Sequence, residues 1–389
     1  MTRASQPRRP ILANVLLVAL AVGFGGCRSL GRQAPADLSA ASPTPPPLEL
    51  LGFAQLPVAP TAGGTPLGGL SGLAYVADRN LFLAVSDDRA EHAPARYYSL
   101  EVNLADDRLE DSGVRVRSVT NLQQPDGGLF SEGHVDPEGI AVDGQLRWIS
   151  SEGNAGLGIA PFVRAYDDAG RHLAEIELPD ALLPEAERGV RDNLALESLT
   201  LSPDSSWLFT ASENALRQDG PAADPTRGSP SRILRVDLER RVTEAAFVYW
   251  TDRVHATPEP AGGLAVAGLV ELLALDDERL LALERSFAAG VGMSIRLYLA
   301  DLSMADRLAP EDEIDDLETI RPAAKRLLLD LAELDVPLDN FEGLAFGPDL
   351  ADGRRTLFLV SDDNFNTAAQ RSLLVALAVA PEIWKGADR

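Results

Sequence analysis

The chain has 389 residues, 45% of them hydrophobic, ample for a large core. Its net charge of −24 argues against a nucleic-acid partner, because gripping a phosphate backbone needs a basic face. Cys27 is the only cysteine, so no disulfide forms within the chain.

The N-terminus carries Arg3, Arg8 and Arg9, then an apolar run over 11–24, then Phe24-Gly25-Gly26-Cys27. A basic start, an apolar run too short to span a bilayer and small residues before a lone cysteine fit a secretory leader at 1–26. The last four residues resemble the bacterial lipobox, with Phe24 where that motif usually has Leu. The expectation is a lipoprotein whose Cys27 carries acyl chains. These hold it on a membrane of the cell envelope, periplasmic or outer-membrane associated. Loss of the leader removes three arginines and no acid, leaving −27. Residues 27–47, rich in Pro and Ala and ending Pro45-Pro46-Pro47, cannot build a core and read as a tether.

From Leu48 the chain turns apolar. The stretch 48–56, with Pro47 and Pro57 at its ends, fits a strand buried on both faces. It can close a ring against Leu373-Leu374-Val375-Ala376-Leu377-Ala378-Val379, removing exposed sheet edges. Between them one unit recurs. Asp136-Pro137-Glu138-Gly139-Ile140-Ala141-Val142 leads through a turn to 146–154. Leu196-Glu197-Ser198-Leu199-Thr200 leads to 207–214, Val270-Glu271-Leu272 to 280–285, and Asn340-Phe341-Glu342-Gly343-Leu344-Ala345 to 357–364. A less acidic first copy starts at Gly69-Leu70-Ser71-Gly72 and leads to 81–88. Each copy is two short apolar strands joined by a turn, a hairpin signal. Outer strands follow at 95–102, 162–166, 231–236 and 293–298, and 369–373 opens the last. Repetition of one such unit predicts an all-β fold: a single β-propeller of five or six blades of four-stranded antiparallel sheets, over 48–380. The alternative is a β-sandwich whose hairpins resemble one another by chance. Residues 381–389 form a tail. Helix is sparse: 184–188 fits a short helical turn, 305–335 a strand pair or insertion, and 215–230 a polar loop.

In a propeller, equivalent positions of every blade face one axis. Glu138, Glu197, Glu271 and Glu342, with Ser71, form a first column. Asp87 or Asp88, Glu152, Glu213, Glu284, and Asp362 or Asp363 form a second. Rings of carboxylates repel and raise each other's pKa unless a cation or arginine neutralises them. Hard oxygen donors suit Ca²⁺ or Mg²⁺. The expected metal ligands are Glu138, Glu152, Glu197, Glu213, Glu271, Glu284, Glu342 and Asp362, with Ca²⁺ as the cofactor. Glu138, Glu197 and Glu342 are the expected catalytic carboxylates. Arg89, Arg96, Arg164, Arg232, Arg285, Arg296 and Arg371 are counter-charges, and of these Arg164, Arg232, Arg285 and Arg371 are expected to bind substrate. The bland alternative is that the acids and arginines pair only with each other and with backbone N–H groups.

Other chemistry is missing. The sequence has no G-x-S-x-G elbow, no H-E-x-x-H pair, no P-loop and no dinucleotide fingerprint. His92, His134, His172 and His255 are scattered; His92 and His134 stand in loops that can face the channel mouth.

The repeated E-G-[LI]-A, together with Leu359-Val360-Ser361-Asp362-Asp363-Asn364-Phe365, resembles the phytase-like family, known for esterase-like activity of phytase, over about 50–380. Ser212-Glu213-Asn214 lacks the spacer of the second motif. The resemblance implies a β-propeller, a secreted or envelope location and a calcium-assisted phosphoesterase. It carries over no catalytic set, and fold does not fix function. Two functions fit: a metal-assisted hydrolase of a small ester or phosphoester, or a non-catalytic envelope module that binds a ligand or an envelope protein. A monomer is expected in either case.

Overall fold

Each repeat singled out in the sequence carries its strands, though that of 196–201 is only Thr200–Leu201 and 369–372 precede the strand that starts at Leu373. The computed structural model describes residues 47–57, 64–314 and 316–385. The leader, Cys27 and the tether up to residue 46 lie outside the described residues. From Pro45 on the chain is one unit. It begins with β1 (Leu48–Gln55). Blade one is β2 (Leu70–Val76), β3 (Leu81–Ser86), β4 (Arg96–Val102) and β5 (Val114–Asn121). Blade two is β6 (Pro137–Asp143), β7 (Leu146–Ser151), β8 (Phe162–Tyr166) and β9 (His172–Glu175). Blade three is β10 (Thr200–Leu201), β11 (Trp207–Ala211), β12 (Pro230–Asp237) and β13 (Val242–Trp250). Blade four is β14 (Ala265–Ala274), β15 (Arg279–Ala288), β16 (Gly292–Asp301) and β17 (Ala324–Asp330). Blade five is β18 (Asn340–Asp349), β19 (Arg355–Asp362) and β20 (Leu373–Val379), and its fourth strand is β1.

The blade number is therefore five, and the sheets are antiparallel throughout. β1 runs against β20 with Leu48 opposite Val379 and Gln55 opposite Leu373, so the two ends of the propeller share one sheet, as 48–56 predicts. Blade five cannot separate without breaking that ladder.

Blades stack face to face, which explains why the inner strands are apolar on both faces. Five hydrophobic clusters each span two neighbouring blades. Phe82 and Tyr98 of blade one meet Phe358 and Leu374 of blade five. Val85 and Tyr97 meet Ile149 and Phe162 of blade two. Trp148 and Val163 meet Leu208 and Leu234 of blade three. Phe209 and Phe247 meet Leu280 and Tyr298 of blade four. Leu283 and Leu297 meet Leu359 and Val375 of blade five. Burying side chains of this size stabilises by about 1.5–3 kcal/mol each.

Two expectations about the remainder need correction. Residues 184–188 form no helical turn. The 3₁₀ turn lies earlier, at Asp180–Leu182, where both carboxylate oxygens of Glu311 accept the N–H groups of Asp180 and Ala181. The 305–335 stretch is an insertion plus one strand, β17, followed by a 3₁₀ turn at Leu331–Glu333. Among the described residues the α-helix is Pro381–Trp384, in the tail, and no helix is long and apolar enough to cross a membrane.

Candidate functional site

The innermost strands β2, β6, β10, β14 and β18 touch in a closed ring. The ladder of four of them skips at the acidic motif: at Ser71-Gly72, Glu138-Gly139, Val270 and Glu342. Such bulges re-aim a side chain out of the pleat. The glycine of the motif has a steric role. A Cβ on Gly72 would lie 2.4 Å from the Glu138 carbonyl oxygen, one on Gly139 2.6 Å from Leu199 Cβ, and one on Gly343 2.7 Å from the Ser71 carbonyl oxygen. Each neighbour belongs to the next blade, so the glycine lets the inner strands close up where the acid turns inward.

The result is one electrostatic cluster at one mouth of the channel. A cavity of about 290 Å³ is lined by Asp87, Asp136, Glu138, Glu197, Glu342 and Asp362, with Arg89 and Arg285. Glu152 adjoins Asp136, and Glu213 adjoins both Glu152 and Arg285. Eight carboxylates thus face two guanidiniums. Arg285 Nη2 donates to Glu213 Oε1 at 2.9 Å, and its Nη1 donates to Glu342 Oε1 and Asn340 Oδ1 at 2.8 Å each. Asn340 Nδ2 donates to Glu342 Oε1 at 3.0 Å and to Asp362 Oδ2 at 3.1 Å. Arg89 Nε donates to Asp136 Oδ2 at 2.8 Å, and its Nη2 reaches Asn193 Oδ1 at 2.6 Å. Ser71 Oγ donates to Glu138 Oε2 at 2.5 Å, and Ala195 N–H donates to Glu152 Oε1.

Burial is the leading cause of every carboxyl shift in the cluster. It pushes Asp136 up to about 6 against the pull of Arg89, and Glu342 up to about 7 against Arg285. Glu138 and Glu197 are raised well above the carboxylate range by burial and then by other carboxylates, Glu197 leading for the first and Glu152 for the second. Asp87, Glu152 and Asp362 are raised well above it too, and Glu213 is raised. Asp136, Glu138 and Glu152 each offer an oxygen within 4.8 Å of the others'. Glu213 Oε2 is buried with no hydrogen-bond partner, which is costly unless something fills it.

Of the expected metal ligands, six of eight belong here: Glu138, Glu152, Glu197, Glu213, Glu342 and Asp362. Glu271 does not. It is buried between the inner strands, where its Oε1 accepts the N–H groups of Leu199 at 3.2 Å and Leu272 at 2.9 Å, and Leu344 N–H adds a third bond. It ties the inner strands of blades three, four and five together. Glu284 is also elsewhere. Its oxygens take Lys325 Nζ at 2.6 Å, the Tyr249 hydroxyl at 2.7 Å and Asp252 N–H at 2.7 Å, because its neighbour Arg285 holds the inward position.

Three of the four expected substrate arginines are outside the cavity. Arg164 pairs with Glu175 at 3.0 Å and lies 3.9 Å over Phe162. Arg232 is buried in a bidentate pair with Asp219, at 2.5 and 2.7 Å, and donates to the carbonyls of Pro310 and Asp312. Arg371 is exposed, and its N–H donates to Asp339 Oδ2. The first two sit on third strands, about 10 Å of sheet from the channel wall. Arg285 alone of the four is central.

In the two positions left open, Asp87 and Asp362 face the cavity. Asp88 also borders the cavity but is locked to Arg96 at 2.6 Å, both fully buried, and Asp363 accepts Gly69 N–H at 3.1 Å. Asp136, Asn193, Asn340 and Phe365 were not singled out as site residues. Asp136 stands two residues before Glu138, a spacing that marks the strand start. Asn193 and Phe365 lie in loops with no periodic signal. His134 lies outside the cavity lining and pairs with the Glu132 carbonyl. The opposite mouth is a cavity of about 460 Å³, lined by apolar residues such as Leu73, Ile140, Leu344 and Phe346 and by the charged Asp349 and Arg355.

These features define a five-bladed propeller with an acidic pocket at one mouth of its channel, a concave site of the kind that holds small ligands. The chain belongs to the phytase-like family, described as esterase-like activity of phytase, whose sequence model matches residues 65–365. No curated protein matches the sequence. Among solved structures, the chain is similar to the Dos1 propeller, at 9% identity and a TM-score of 0.33, over 81% of this chain and 69% of that one. It is also similar to the α-L-arabinofuranosidase PaAbf62A from Podospora anserina, solved with cellotriose, at 11% identity and a TM-score of 0.46, over 85% of this chain and 98% of that one.

Proposed function

We propose that the acidic pocket is the active site of a hydrolase of ester or phosphoester bonds that works with Ca²⁺. Family membership supports hydrolysis. The observation that carries the metal is the surplus of acid: eight carboxylates, all but the half-buried Asp87 buried, against two guanidiniums, with one Glu213 oxygen left unpartnered. Raised pKa values mean that the acids repel; a divalent cation removes that cost. An all-oxygen set suits Ca²⁺. Asp136, Glu138 and Glu152 would hold it, with Glu197, Glu213, Glu342, Asp87 and Asp362 within reach of the same pocket.

Bound Ca²⁺ would polarise the ester and acidify a water. The chain supplies the rest. Arg285 fixes Glu342 and Glu213, and Ser71 fixes Glu138. Glu342, held at about 7, exchanges a proton near neutrality, as a general base must. Arg89 lines the mouth and is the guanidinium placed to meet an anionic substrate. The −27 field repels polyanions, so phosphate esters depend on the cation more than carboxylate esters do. We further propose a monomer anchored in the bacterial envelope by lipid on Cys27. Mass spectrometry finding an unmodified 1–30 peptide in membrane-extracted protein would contradict the anchor.

The test is a screen of phosphate and carboxylate esters with Ca²⁺ and with chelator. Turnover that chelator abolishes and Ca²⁺ restores is expected. A protein that loses only stability on chelation is a non-catalytic binding module.

A further inference from the structure

Among the residues lining the acidic pocket, His92 and Phe365 are the two that carry rings. Their centroids are 4.2 Å apart with planes at 34°. Phe365 is held from several sides. Its backbone and that of Asn364 are both left-handed, φ 51° and 47°, a strained conformation for such residues that clusters at functional sites. Asp362 Oδ1 accepts Asn364 N–H at 2.7 Å and Asp363 Oδ1 accepts Phe365 N–H at 3.1 Å, which locks the turn. The ring lies against Gly68 and Gly69, where an added Cβ would come within 2.9 and 2.7 Å of its carbons. The buried Arg96 guanidinium stands 5.7 Å from its centroid.

His92 is fixed from the other direction. The N–H groups of Glu91, His92 and Ala93 donate to the Asp88 carboxylate at 2.8, 3.0 and 2.9 Å, and Arg96 holds the same carboxylate. Yet the His92 side chain is exposed, and among the described residues neither ring nitrogen has a hydrogen-bond partner. His134 and His255, by contrast, each place a ring nitrogen 2.9 Å from a protein oxygen, the Glu132 carbonyl and Ser286 Oγ. Here the ring is positioned by its tilted contact with Phe365, and its nitrogens are left for something that enters the pocket.

Resting on the hydrolase reading above, we propose that His92 is the proton donor to the departing oxygen of the ester, with Phe365 as its positioning residue. Water adds its oxygen to phosphorus or to the acyl carbon and gives a proton to Glu342. The bond to the alcohol oxygen breaks, and its electron pair stays on that oxygen. His92 delivers a ring N–H proton there, so the alcohol leaves neutral. Solvent then carries the Glu342 proton back to His92. A proton donor of this kind is worth about a hundredfold or more on an alcohol that is a poor leaving group, and far less on one that leaves well as an anion.

The experiment compares p-nitrophenyl phosphate with glycerol 2-phosphate, and p-nitrophenyl acetate with ethyl acetate, in Ca²⁺-loaded wild type, His92→Gln and Phe365→Leu. His92→Gln is expected to lose about a hundredfold in kcat on the alkyl substrate of the class turned over, at least tenfold more than on the p-nitrophenyl one. Phe365→Leu should show the same selectivity, weaker, with the melting temperature close to wild type. Equal losses on both leaving groups, or none, in an active enzyme overturn the proposal alone. Wild-type protein inert toward all four substrates overturns the hydrolase reading, and the proposal with it.

Discussion

Raising the pH of the calcium-free protein from 5 to 8 should destabilise it, which is the reverse of the behaviour set by carboxylates in ordinary ion pairs. The cluster carboxyls have folded pKa values above their unfolded ones. Between the two values the folded state binds more protons, so stability is fully present below the unfolded pKa and falls as pH rises through the folded one. Glu342, ordinarily 4.5 and here about 7, sets the scale at roughly 3 kcal/mol, at about 1.4 kcal/mol per pKa unit. Asp136, ordinarily 3.8 and here about 6, adds a similar loss at lower pH. Urea denaturation midpoints at pH 5, 6, 7 and 8 in chelator measure the fall. Glu342→Gln should flatten the upper part of the curve. Calcium at a hundred times its Kd should restore about 2.7 kcal/mol at pH 8. A midpoint that is flat or rises over this window, in chelator, would refute the idea of a crowded buried acid cluster.

Other outcomes follow from single side chains. Glu271→Leu strips three strand N–H groups of their acceptor and should cost about 1–3 kcal/mol, with calcium affinity unchanged in calorimetry. Arg232→Met leaves Asp219 buried and unpaired, and should cost roughly 3–5 kcal/mol without altering turnover of the folded fraction. Arg89→Ala should raise KM for a phosphate ester about tenfold with a smaller change in kcat; an equal KM would show that Arg89 only braces Asp136 and Asn193.

Much of the fold is legible in the sequence because its signals are local. Leu357-Phe358-Leu359-Val360 and Leu373-Leu374-Val375 are apolar on both faces since blades stack on both sides. The recurring Glu-Gly marks the bulged inner strand. The choice between five and six blades needed the structure, because β10 is only two residues long. The first column was sound where a glycine or serine follows the acid. It failed at Glu271, whose neighbour is Leu272: without a small residue the carboxyl serves backbone N–H groups instead. Register misled at Glu284, where Arg285 turns inward. Arg164 and Arg232 misled because sequence spacing does not show how many strands separate a side chain from the axis. Asn193 gave no signal and Phe365 showed only as the end of the Ser361-Asp362-Asp363-Asn364-Phe365 motif, since left-handed loop residues follow from tertiary contacts rather than from periodicity.

Calorimetric titration of chelator-stripped protein with Ca²⁺ at pH 7, repeated in two buffers of different ionisation heat, tests the central claim most directly. The account predicts saturable binding with net proton release, since carboxyls such as Glu342 are still partly protonated there, and loss of that binding in Asp136→Asn and Glu138→Gln. Absence of binding in folded protein, or binding with no proton release that survives both substitutions, would contradict it.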